Sequence, residues 1–250
     1  PVTSAGFLMW HSCRSGEYDA LVTLLITGYS LAFFRFSQEK KSILLYLTMI
    51  LIALAILVKS TAALIPLPGL MLWAFISRNG VQLLNKREFW LSLSVLLIIV
   101  MGYYLIREAA NPGYLQTVDA NEIRGRFLEV SEGNRGPFMF YINKLSGKRF
   151  GSWFWILLFS VPLSLMNRRA TERSAALFTL VMWTSFLLLI SIARTKLVWY
   201  DVPAYPFFAI TIGIALSTLW QLSAKIKDKI ALITTRVLFI LLTILAVAHP

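Results

Sequence analysis

Residues 42–77 read SILLYLTMILIALAILVKSTAALIPLPGLMLWAFIS, with a single charged residue, Lys59, followed closely by Ser60, Pro66 and Pro68. A helix that crosses a bilayer needs about 20 mostly apolar residues, and about 17 can suffice. The stretch is too long for one such helix and long enough for two. It reads as two membrane helices joined by a tight hairpin at Lys59. A single long, tilted helix kinked at Pro66 is the alternative.

Outward from this stretch the pattern recurs. Apolar runs at 19–36, 42–58, 61–77, 89–106, 152–166, 174–193 and 204–222 qualify as spans, with a shorter eighth at 237–249. The 250 residues are 58% hydrophobic and 14% charged, whereas a soluble domain is nearer a quarter charged. Too few polar residues remain to cover a water-exposed globule of this size. The predicted fold class is all-α, a polytopic transmembrane helix bundle. It divides into an extracytoplasmic segment 1–18, four transmembrane helices within 19–106, an extracytoplasmic loop 107–151, and three to four further helices within 152–250. The sequence opens Pro1-Val2-Thr3 and stops at Pro250 in or just after an apolar run. It therefore reads as a piece of a longer polytopic protein.

In a soluble chain the net charge of +12 would suggest nucleic acid. Here it bears on orientation, because short cytoplasmic loops collect Lys and Arg. Alternate loops gather Arg35, Lys40 and Lys41; Arg78, Lys86 and Arg87; Arg168, Arg169 and Arg173; and Lys225, Lys227, Lys229 and Arg236, with only Glu39, Glu88, Glu172 and Asp228 as acids. That side is predicted to be cytoplasmic. The large loop 107–151 then lies outside. Within it Ile123, Phe127 and Val130 share one helical face, and Phe138, Phe140 and Tyr141 suit the headgroup region. The loop is expected to hug the membrane.

Four outer clusters can carry chemistry, because charge near lipid is costly. His11 to Asp19 opens the first span, as a helix cap or as the polar wall of a cavity. Lys59 either snorkels to the surface or pairs with an acid such as Asp19 or with an anionic ligand. Arg124, Arg126, Arg135, Lys144, Lys148 and Arg149, interleaved with Phe138 and Tyr141, suit an anionic lipid headgroup or plain interfacial anchoring. Arg194, Lys196, Tyr200 and Asp201 precede Pro203 and Pro206, and two cations with a phenol can grip a phosphate. Cys13 is the one cysteine, so no intramolecular disulfide forms, and His11 and His249 are too far apart in sequence to suggest a histidine metal cluster. No nucleotide-binding glycine loop or His-Glu-x-x-His motif occurs.

Three of these stretches resemble a family. His11-x-x-Arg14-x-Gly16-x-x-Asp19, Leu57-Val58-Lys59-Ser60 with Pro66, and Lys196-x-x-x-Tyr200-x-x-Pro203-x-x-Pro206 are similar, in order and spacing, to motifs of the GT-C polyprenyl-phosphate-sugar glycosyltransferases. The nearest branch is the protein O-mannosyltransferase and lipid A aminoarabinose transferase group. Ser60 stands where that family usually has Gly. Gly136-Pro137-Phe138 and Tyr141 fit the same pattern.

The resemblance implies transfer of a sugar from a polyprenyl phosphate to a lipid, glycan or protein acceptor, on the extracytoplasmic face of a bacterial inner membrane. It implies that Arg194, Lys196 and Tyr200 bind the lipid phosphate, with Arg124, Arg126 and Tyr141 assisting, while Arg14, Asp19 and Lys59 brace the cavity. The family's catalytic acid lies after its first helix, upstream of Pro1, so the catalytic residue is unassigned and this piece alone is expected to be inactive. Some relatives carry a metal-binding His where Asn134-Arg135 stand here, so a divalent metal stays open and no cofactor is assigned. A flippase or transporter of lipid-linked sugars would instead place ionisable residues at mid-span. An O-antigen polymerase or ligase would place an Arg/His pair in the outer loop.

Overall fold

The structure, a computed structural model, describes residues 4–8, 17–77, 80–119 and 134–224, with 228, 230, 233, 234, 236, 237 and 240 beyond them. The predicted amphipathic piece at 123–130 and most of the run 237–249 lie outside these residues. Among the described residues there is no strand, and the principal helices are α1 (Tyr18–Glu39), α2 (Ser42–Lys59), α3 (Leu67–Ile76), α4 (Arg87–Ala110), α5 (Ser152–Leu165), α6 (Ala170–Ile192) and α7 (Tyr205–Ser223). Five stretches are long and apolar enough to cross a membrane: Tyr18–Glu39, Ser42–Leu64, Arg87–Ala110, Ala170–Ile192 and Val198–Ser223. The chain is a polytopic helix bundle.

The decisive stretch does break at Lys59. Helix α2 ends there, Ser60 turns at φ 42°, ψ −123°, and Ser60–Leu64 form a 3-10 turn before α3 begins behind Pro66. The single kinked helix is thereby excluded. The second half differs from the expected full span, because α3 has only 10 residues, about 15 Å of helix. Pro66 and Pro68 lack the amide hydrogens that would continue α2. Run 152–166 likewise yields a 14-residue helix, α5, with Pro162 inside it.

Side-chain bonds fix the two ends of the bundle. At one end Gln38 Nε2 of α1 donates to Ser174 Oγ of α6 at 3.2 Å, and Trp73 Nε1 of α3 donates to Ser37 Oγ at 3.1 Å. The α1–α2, α3–α4 and α5–α6 connections gather there, with Lys40, Lys41, Lys86, Arg87, Arg168 and Arg169. At the other end Lys59 meets Asp19, and Tyr104 of α4 donates to Ser60 Oγ at 3.4 Å.

Two apolar cores run between these ends. The first joins α1, α2, α3 and α6 around Tyr29, Phe33, Leu45, Trp73, Phe178 and Met182. Close approach is achieved with small residues: a Cβ on Gly69 of α3 would collide with Ser185 of α6. The second core joins segment 140–150 to α5, α6 and α7 around Tyr141, Phe150, Phe154, Tyr205 and Phe208. Some buried polar groups inside the bundle bond between elements. The Thr179 and Thr211 hydroxyls lie 3.0 Å apart, and Asn167 Nδ2 donates to Thr218 Oγ1 at 2.8 Å and to Glu172 Oε2 at 2.7 Å. Helix α4 leans on α2, and of its residues only Ser92 is buried. A helix so apolar and so exposed faces lipid.

The second core corrects one expectation. Arg149, grouped with the loop's basic residues as a headgroup contact or an interfacial anchor, is 5% exposed and grips Asp201, itself fully buried, through Nε at 2.9 Å and Nη2 at 2.5 Å. Its Nη2 also donates to the Gly6 carbonyl at 3.4 Å. A buried guanidinium without a counter-charge would cost several kcal/mol, so a carboxylate 52 residues away in sequence captures it. Tyr141, read as interfacial, is also fully buried, with its hydroxyl donating to the Leu197 carbonyl at 3.1 Å.

Two predictions follow from this architecture. Ser60→Gly removes the strain of a positive φ at a residue with a Cβ, and thermal unfolding of the purified chain in detergent should show a gain of about 1 kcal/mol; Ser60→Val should lose stability. Asp201→Asn leaves the Arg149 charge buried and unpaired, at a cost of about 3–5 kcal/mol. The double variant Arg149→Met with Asp201→Leu should unfold at a higher temperature than Asp201→Asn alone.

Candidate functional site

A cavity of about 330 Å3 opens at the end of the bundle that carries Lys59. Its walls come from five places, one of them Pro68 at the start of α3. Helix α1 contributes Asp19, Val22 and Ile26; the turn after α2 contributes Lys59, Thr61, Ala62, Leu64 and Ile65; the end of α6 contributes Phe186, Leu189, Ile190 and Ala193; and the segment before α7 contributes Tyr200 and Pro203. The walls are mostly hydrocarbon, and the polar groups are few.

Those polar groups form one constellation. The Lys59 ammonium is ion-paired with Asp19 and stands 5.7 Å from the centre of the Tyr200 ring. Each is positioned by a local feature. Asp19 lies in the first turn of α1, where the helix dipole favours an anion. Lys59 is the last residue of α2, and the Ser60 backbone turns away immediately behind it. Tyr200 lies in the 3-10 segment Val198–Ala204, whose tight path is set by Pro203, with Pro206 in the first turn of α7. A cation held beside a phenol at the mouth of an apolar cavity can receive an anionic group attached to a hydrocarbon tail.

The residues expected to bind phosphate do not all meet here. Arg194 is exposed next to the cavity residue Ala193. Lys196 is turned inward and is 4% exposed. Its Nζ donates to the carbonyls of Ile190 and Ser191, at 2.9 and 2.5 Å, and lies 5.6 Å from the centre of the Tyr141 ring. It satisfies carbonyls that the end of α6 leaves without partners, so its contacts are those of a helix cap. Burial lowers its ammonium below the usual lysine range, and burial raises the Tyr141 phenol. Neither Tyr141 nor Lys196 lines the cavity. Arg14, Arg124 and Arg126 lie outside the described residues.

The loop still reaches the site through its backbone. Arg135 bridges Thr195 in antiparallel fashion, and the Lys196 amide donates to the Asn134 carbonyl at 2.9 Å. Gly136 allows this approach, since a Cβ there would press on Lys196 and Phe140. Lys144 and Lys148 remain exposed. Among the described residues, no three side chains of His, Cys, Asp or Glu converge as metal ligands would. The apolar walls, Val22, Ile26, Phe186 and Leu189, carry no sequence signal that separates them from ordinary span residues.

Comparison with known proteins agrees with this architecture. Residues 2–105 match the family model of dolichyl-phosphate-mannose-protein mannosyltransferases. A protein of Aquifex aeolicus (strain VF5), described as uncharacterized, is 26% identical over 233 residues, which cover 91% of this chain and 43% of that protein. The crystal structure of ArnT from Cupriavidus metallidurans bound to undecaprenyl phosphate superposes with a TM-score of 0.64 at 19% identity, over 83% of this chain and 39% of that one. The chain thus spans less than half the length of either relative. The chain therefore shares the polytopic fold of ArnT, and its residues 2–105 are similar to the dolichyl-phosphate-mannose-protein mannosyltransferases.

Proposed function

We propose that the protein to which this chain belongs transfers a sugar from a polyprenyl-phosphate donor to a lipid, glycan or protein acceptor on the extracytoplasmic face of the membrane. The observation that carries this reading is the apolar cavity with Lys59, Asp19 and Tyr200 at one side of it. An isoprenoid tail suits the hydrocarbon walls. A phosphate suits the cation and phenol.

In such a transfer the bond between the sugar's anomeric carbon and a phosphate oxygen breaks, and negative charge grows on the departing lipid phosphate. Lys59 is the cation that would receive this charge, with Tyr200 donating a hydrogen bond and Arg194 nearby. A cation already fixed in a low-dielectric site stabilises developing charge without reorganising. Asp19 would hold Lys59 in place until the phosphate takes over part of its charge. The basic loops at the opposite end support an orientation with the cavity facing outward. The described acidic and basic residues lie in or next to helix ends, which disfavours a transporter with mid-span charges.

The test uses the full-length protein in vesicles with a polyprenyl-phosphate-linked sugar. Lys59→Met should lower kcat/KM about 100-fold, the scale for removing one preorganised charge donor, while Tyr200→Phe lowers transfer with little change in unfolding temperature. Unaltered transfer by both variants would remove the assigned phosphate site. Lys196→Met should behave differently. It strips two carbonyls of α6 of their donor, so its unfolding temperature should fall before any kinetic change is read.

A further inference from the structure

A second recess lies at the opposite end of the bundle. It encloses about 610 Å3 between the last turn of α1 (Ser37, Gln38), the last turns of α3 (Trp73, Ile76, Ser77), the end of α5 (Leu165) and the first two turns of α6 (Ala170, Arg173, Ser174, Leu177). The shortness of α3 and α5 leaves it open. Both helices stop here, at Ile76 and Leu165, beside the longer α1 and α6.

The lining sorts into two parts. Arg173 presents its guanidinium and Ser174 a hydroxyl, whose oxygen accepts from Gln38 Nε2, and the start of α6 favours an anion. Ile76, Leu165 and Leu177 present hydrocarbon.

The charge at this end is unbalanced. Glu39 is held by Arg35 and Lys41, and Glu172 by Arg169, Asn167 and Ser217. Arg173 has no carboxylate partner among the described residues. Lys40 is depressed below its ordinary range by burial and, to a smaller extent, by the charge of Lys86. The recess belongs to a chain embedded in lipid, at the membrane-water boundary where the helices end. A molecule there with a negative head and an apolar tail is a phospholipid. Basic recesses between membrane helices recognise anionic headgroups in this way.

We infer that this recess is a binding site for the phosphodiester headgroup of an anionic glycerophospholipid, held by Arg173 with the Ser174 hydroxyl that Gln38 positions, its acyl chains lying along Ile76 and Leu177. The site is separate from the donor cavity at the other end of the bundle. Its failure would leave the transferase reading untouched, and failure of that reading would leave this site untouched.

The experiment takes the full-length protein in detergent. Dihexanoyl phosphatidylglycerol, dihexanoyl phosphatidylcholine and inorganic phosphate are titrated, with lipid adducts counted by native mass spectrometry and unfolding temperature followed alongside. The expected result is saturable binding of phosphatidylglycerol, weaker binding of phosphate, and little binding of phosphatidylcholine. Arg173→Ala should weaken phosphatidylglycerol binding about tenfold, the scale of one charge-assisted hydrogen bond. Arg173→Lys should recover part of it, and Arg168→Ala, an exposed basic residue outside the recess, should bind as wild type. Arg173 has no ion pair to lose, so its Ala variant should unfold at the wild-type temperature without lipid. Equal binding by wild type and Arg173→Ala, or no preference for phosphatidylglycerol over phosphatidylcholine, would overturn the site. Phosphate binding as tightly as phosphatidylglycerol would overturn its assignment to a lipid.

Discussion

A charge withdrawn from water at the end of a membrane helix must find a counter-charge, and two such pairings organise the cavity end of this bundle. Lys59 finds Asp19 across the first hairpin, and Arg149 finds Asp201 across the second half of the chain. The desolvation cost of each ion, several kcal/mol, makes the unpaired state untenable. The two pairings therefore act as long-range registers. The first ties the start of α1 to the end of α2. The second ties segment 145–149 to the turn that carries Tyr200 and Pro203 into the cavity. The wall of the cavity is thus held from both sides by ions that lie close to it.

The pairings differ in what they leave available. Asp201 is fully buried and receives both nitrogens of a guanidinium, so its charge is spent within the protein. Lys59 is partly exposed and carries one carboxylate oxygen plus the face of an aromatic ring. An ammonium has three donors, and one contact with a carboxylate leaves the others able to turn toward the cavity. This difference in donor number and exposure separates the structural cation from the candidate functional one.

Much of the fold was legible because lipid simplifies the code. Backbone groups in a bilayer must bond within the helix, so apolar length and loop charge were enough to mark most spans, and Lys59 marked the first hairpin. Helix lengths were less legible. Residues 61–77 carry the hydropathy of a span, but Ser60's turn and Pro66 take the first residues out of the helix. The candidate site was legible only where polar groups interrupt hydrocarbon, at Asp19, Lys59 and Tyr200. Arg149, Lys196 and Tyr141 looked like the same kind of residue. A sequence shows that a cation is present, but its role depends on which carboxylate or carbonyl the fold places beside it. Those partners are 52 residues away for Arg149 and five and six residues away for Lys196.

The shortened helices connect these points. A full-length helix after Lys59 would carry hydrocarbon side chains through the volume between α1 and α6. The 3-10 turn Ser60–Leu64 instead spends those residues laterally, and Thr61, Ala62, Leu64 and Ile65 become the wall of a space. The tyrosine of α1 that lies beneath this turn, Tyr29, donates its hydroxyl to the Ala63 carbonyl at 3.0 Å, one of the backbone groups that a 3-10 segment leaves open. Helix α3 then starts lower and is brought against α6 by Gly69. The same irregularity therefore opens the cavity beside Lys59, sets the strained turn behind that residue, and, because α3 and α5 both stop short, leaves the recess at the opposite end. Irregular backbone at membrane depth is tolerated where protein covers it or where it lines a cavity, and here it does both.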